Sequence, residues 1–67
     1  MTRKELQETR EKYRNVAEAC LDAENPYAMI TNVCKLLANE MCYNHHERGQ
    51  RIWAFFQALK DVEDGHV

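Results

Sequence analysis

From the start of the chain, Leu6, Thr9, Tyr13, Val16, Cys20 and Ala23 alternate spacings of three and four. That period is the seam of a helix lying along another at a shallow angle. Thr9 is polar and Ala23 small, so the seam is only moderately strong, and Leu21 falls off it. Thr2 with Glu5 three residues on forms a capping-box pattern, the hydroxyl bonding a free helix amide and the carboxylate returning a bond to the cap. These signals predict a first helix from about Arg3 to about Ala23.

The stretch "DAENPY" interrupts the pattern. A residue before proline is pushed out of helical geometry, whereas proline itself suits the first position of a new helix. Asn25 is a good cap for it. A second helix is expected from Pro26 to about Tyr43, with Ile30, Val33, Cys34, Leu37 and Met41 on one stripe and Met29, Leu36 and Tyr43 on another. The apolar arc covers more than half of that helix, leaving Thr31, Asn32, Lys35 and Asn39 as its wet face. Glu40 lies inside the second stripe, and because a lone buried carboxylate is costly, it is expected to reach solvent past Tyr43.

In a third helix, about residues 46 to 62, Ile52, Phe55, Phe56, Leu59 and Val62 make the inward stripe, and Gly65 ends it. Trp53 lies on the flank of that stripe, beside Phe56. A competing layout exists, since Cys34, Met41, Arg48, Phe55 and Val62 are all seven apart. Gly49 would cost only about 1 kcal/mol inside a helix, so one long helix from Pro26 to Val62, in a hairpin paired with a second chain, satisfies the same pattern. With no strand signal and two glycines in 67 residues, the expectation is one all-α domain spanning 1–67, a small three-helix bundle.

Size changes how that bundle must be read. A chain this short buries only about 60% of the surface its unfolded form exposes, and small domains recover the deficit with disulfides, a metal or a partner. Three cysteines, an odd count, and a charged opening "MTRKELQETREKYR" give no disulfide framework and no secretory leader. A cytoplasmic protein with reduced thiols is expected. No apolar run approaches the roughly 20 residues that cross a bilayer.

The candidate chemistry is confined to "MCYNHHERGQR", residues 41 to 51. Cys42 and His46 are four apart and would share a helix face, with His45 or Glu47 as a further ligand. Zinc needs four tetrahedral ligands or three and a water, and Cys20, Cys34 and His66 have no paired spacing to supply the rest. No metal or cofactor is therefore expected. His45 and Glu47 form the His-x-Glu that opens a zinc-deaminase signature, but its Pro-Cys-x-x-Cys half is missing. A nucleophilic set of Cys42, His45 and Glu47 needs a pocket that so small a chain has little volume to build, so an enzyme is not expected. Asn44 and Glu47 repeat the capping pattern, and from Asn44 to Arg51 nothing large and apolar needs burial. The stretch reads as a solvated connection between helices.

A formal charge of −2 is not the footprint of a nucleic-acid binder. Arg3, Arg10 and Arg14, with Arg48 or Arg51 nearby, could still contact phosphates, which makes a nucleic-acid-associated regulator the alternative function. Glu5, Glu8, Glu11 and Glu18 share that helix, however, and pairs such as Glu8 with Lys12 neutralise it internally. The apolar surplus points elsewhere. Met29, Leu36, Tyr43, Trp53 and Phe56 exceed what one short bundle can enclose, and exposed aromatic patches on small proteins tend to be contact surfaces. The expectation is a regulatory or adaptor protein acting by protein–protein binding, as a homodimer.

In texture, "TRKE" opening a charged helix, the His-rich turn and "RIWAFFQAL" resemble the small all-helical early proteins of lambda-like bacteriophages and prophages. The resemblance implies a non-enzymatic protein that binds a host or phage partner and alters replication, transcription or the developmental decision. It carries over no functional residues.

Overall fold

The computed structural model describes residues 1–39 and 44–65, and among them it contains helices and no strand. These are α1 (Arg3–Lys12), α2 (Arg14–Asp22), α3 (Pro26–Asn39) and α4 (His45–Glu63). The first two are one helix bent at Tyr13, so the architecture is the expected small all-α bundle of three.

The capping box at the start of α1 is fully formed. The Glu5 amide donates to Thr2 Oγ1 at 3.1 Å and the Thr2 amide donates to Glu5 Oε1 at 2.9 Å. The bond from the Thr2 amide, followed by that from the Thr2 hydroxyl, holds the Glu5 carboxyl below the usual carboxylate range.

Where the seam predicts one continuous helix from 3 to 23, the chain turns at Tyr13, whose ψ is −5°. Tyr13 still donates its amide to the Thr9 carbonyl at 3.0 Å, and its own carbonyl accepts from Ala17 at 2.8 Å. Its side chain is held by α4, edge-on to Phe55 at 6.5 Å between ring centroids and accepting at its hydroxyl from Arg51 Nη1 at 3.1 Å. Both α1 and α2 pack on α4 across this bend. On α2, Ala17 and Cys20 are buried, while Val16, expected on the seam, is exposed.

Asn25 caps α3, its Oδ1 accepting from the Ala28 amide at 3.3 Å. Leu37 is the buried residue of α3, with Ile30, Val33 and Cys34 partly covered beside it. Asn44 caps α4, its Oδ1 accepting from the Glu47 amide at 2.7 Å. Asn44 has extended backbone, φ −133° and ψ 156°. An extended residue there excludes the single helix from Pro26 to Val62. Residues 45 to 51 form the first turns of α4, in keeping with the helix expected from about residue 46 and not with a solvated connection over the whole stretch.

The core brings together Ala17, Cys20, Leu37, Phe55, Ala58 and Leu59, with Ala54 also buried. Phe56, expected on the inward stripe, is 48% exposed. Adjacent helical residues lie about 100° apart, so only one of the two phenylalanines can point at the centre. Arg10 pins α1 to the far end of α4, donating from Nε and Nη2 to the two carboxylate oxygens of Asp61 at 2.7 and 2.6 Å.

Candidate protein-binding surface

Among the described residues, the large apolar side chains left in solvent are Val16, Tyr27, Met29, Leu36, Trp53 and Phe56. They come from α2, α3 and α4. Met29 and Leu36 are seven apart on one flank of α3. Leu36 and Val16 line an apolar groove of about 180 Å³ between α2 and α3, floored by Tyr13, Val33 and Leu37. Trp53 and Phe56 line no part of this groove; they stand one turn apart on α4, with Phe56 tilted against Phe55 at 5.9 Å between centroids. Of the five residues expected at the contact surface, Met29, Leu36, Trp53 and Phe56 are exposed, and Tyr43 lies outside the described residues.

Val16 and Tyr27 belong to the exposed apolar set although the sequence reading did not place them there. Nothing in the spacing marks Val16, because it and the buried Ala17 flank the line from Tyr13 to Cys20 on either side. Gly49, which enters from sequence only through its cost inside one long helix, precedes Trp53 by four residues and Phe56 by seven. A glycine inside a helix with no capping role is itself a signal.

The arginines considered for phosphate contact are differently employed. Arg3 is exposed on the outer surface of α1. Arg10 is committed to Asp61, and that hydrogen-bonded carboxylate holds its guanidinium above the ordinary arginine value. Arg14 approaches Glu11 at 3.5 Å. Arg51 donates to Tyr13 and, at 2.9 Å, to Glu47, and these two bonds raise it likewise.

The histidine cluster does not assemble a site. His45 and His46 are exposed in the first turn of α4, and His45 Nδ1 contacts the Arg48 guanidinium. Glu47, the residue that would join them, is turned toward Arg51. Cys42 and His66 lie outside the described residues, and among those described no three His, Cys, Asp or Glu side chains converge as metal ligands. Cys20 and Cys34 are free thiols. Burial pushes both upward from the ordinary thiol value, and the neighbouring Cys20 raises Cys34 further. A polar hollow between α1 and α4, lined by Glu5, Glu8, Lys12, Glu47 and Arg51 among others, is open and of mixed charge. No helix among the described residues is long and apolar enough to cross a membrane.

The chain matches no known protein family, and no curated protein or solved structure is similar to it.

Proposed function

We propose that this chain is a small non-enzymatic regulatory or adaptor protein that works in the cytoplasm by binding other proteins and associates with itself. The observation that carries this reading is the imbalance between a thin core and a rich apolar surface. Among the described residues, three of the seven buried are alanines, Phe55 is the only aromatic of those seven, and six larger apolar side chains stand exposed. The chain exposes 4920 Å², whereas a compact protein of 7.9 kDa exposes about 4,400 Å². Covering apolar area with a second protein supplies the stabilisation that so small a core lacks, because whatever binds only the folded state shifts the folding equilibrium.

Following the phage-like texture, the partner proposed is a host or phage regulatory protein. Capture of that partner by the wild-type chain and its loss with Trp53→Ala is the expected result; capture unchanged by the substitution overturns the role of the aromatic face. Sedimentation at rising concentration tests self-association separately. Nucleic-acid binding loses ground, since Arg10 is engaged with Asp61. A mobility-shift assay at low salt, where phosphate contacts are strongest, is expected to show no complex.

A further inference from the structure

We infer that the face of α4 formed by Gly49, Trp53 and Phe56 seats a second copy of this chain, whose own α4 lies across it in the antiparallel sense. This rests on the self-association proposed above and specifies its geometry.

Gly49 is the starting point. It lies inside α4, where glycine costs about 1 kcal/mol relative to alanine. Nothing within one chain calls for it: its φ is not positive, it caps no helix, and a Cβ built on it would meet no atom within 4 Å. What the missing side chain does provide is a shallow place on the outer surface, where another backbone or a large side chain can come close. At spacings of four and seven, Gly49 shares its flank with Trp53 and Phe56, which are 42% and 48% exposed. An indentation beside two projecting aromatics is the relief that helix-to-helix packing uses at axial separations of 8–10 Å.

The charges along α4 select the occupant and its direction. The first turns carry Arg48 beside His45 and His46, and the last turns carry Glu63 and Asp64 against the single base Lys60, Asp61 being committed to Arg10. Glu47, the acid of the first turns, is taken by Arg51. Antiparallel pairing sets each basic end on the partner's acidic end and opposes the helix dipoles, while parallel pairing stacks like on like. A two-fold contact must be self-complementary, and this face is. With the axis between Trp53 and Phe56, those two rings lie opposite one another across the pair. Lys60 then lies over Gly49, and His46 comes level with Glu63. The axis falls close to the midpoint of the 19-residue helix, so the apolar centre is flanked by a charged rim on both sides, the usual anatomy of an interface.

Sedimentation equilibrium of the full chain from micromolar to millimolar concentration tests this, with the helicity of each diluted variant read alongside, because His46 borders Glu5 and Glu47 in a hollow between α1 and α4. Gly49→Leu fills open space and favours helix, so the diluted protein keeps or gains helicity, yet the variant is expected to sediment as a monomer. His46→Glu suits a helix N-terminus but sets a carboxylate against the partner's acidic end, and symmetry doubles the effect. A dimer weakened about tenfold is expected. Adding Glu63→Lys is expected to restore it. Within one chain those residues are about 26 Å apart along the helix, beyond the roughly 8 Å screening length at physiological salt, so recovery reports on contact between chains.

A Gly49→Leu protein that remains dimeric overturns the α4 face while leaving self-association standing. Failure of the charge pair to rescue overturns the antiparallel register. A wild-type chain that stays monomeric at millimolar concentration overturns both the inference and the self-association beneath it.

Discussion

Phe55 and Phe56 are neighbours in sequence and opposites in circumstance. Phe55 is fully buried and meets Tyr13 edge-on. Phe55→Ala removes the largest core side chain, at a cost of about 3–5 kcal/mol. A single small core supplies stability on that same order, so the variant is expected to lack cooperative unfolding by circular dichroism. Phe56→Ala, by contrast, is expected to change the unfolding of the diluted chain by less than about 1 kcal/mol. The thiols give a second prediction at this scale. Cys20 is raised by burial in the folded chain, which therefore holds the thiol proton more tightly than the unfolded one. The stability it contributes is present below the unfolded thiol value and declines as pH rises through the folded one. Slow reaction of Cys20 with a thiolate-specific reagent, accelerating sharply in urea, is the corresponding measurement. Which residues are buried was only partly legible from sequence. Ala17, Ala54 and Ala58 carry too little apolar character to announce themselves, and their burial is decided by how closely the helices approach.

Helix boundaries follow from local chemistry, and the caps at Thr2, Asn25 and Asn44 were all legible. Asn44→Ala is expected to cost about 1 kcal/mol, read as a lower urea midpoint with an unchanged slope. The bend at Tyr13 was not legible, because no proline or glycine marks it and the groups that hold Tyr13, Phe55 and Arg51, lie on a distant helix. The burial of Ala17 in place of Val16 was hidden too, since the two flank the line from Tyr13 to Cys20 on either side. The clamp from Arg10 to Asp61 ties α1 to α4 with side chains that are 27% and 16% exposed. Asp61→Ala is expected to lose about 1–2 kcal/mol, the ordinary value of hydrogen bonds to charged groups discounted for solvent. A loss that shrinks as salt is raised distinguishes this electrostatic tie from mere packing.

For the molecule as a whole, the sequence made the class of fold plain, since helix-forming composition and two heptad-like stripes admit little else. The apolar groove between α2 and α3 was not legible, because it depends on the angle at which those helices meet. If self-association covers the exposed apolar residues, thermal unfolding becomes concentration-dependent. A melting temperature that rises with protein concentration is expected, and one that is constant over a hundredfold range speaks against it.

The heaviest packing joins α1 and α2 to α4, elements from the two extremities of the chain, rather than neighbours in sequence. A molecule stitched together in this way gains little from being made in one piece. Supplied as two separate peptides, residues 1–39 and 44–65, its halves are expected to recognise one another and regain helicity on mixing that neither attains alone.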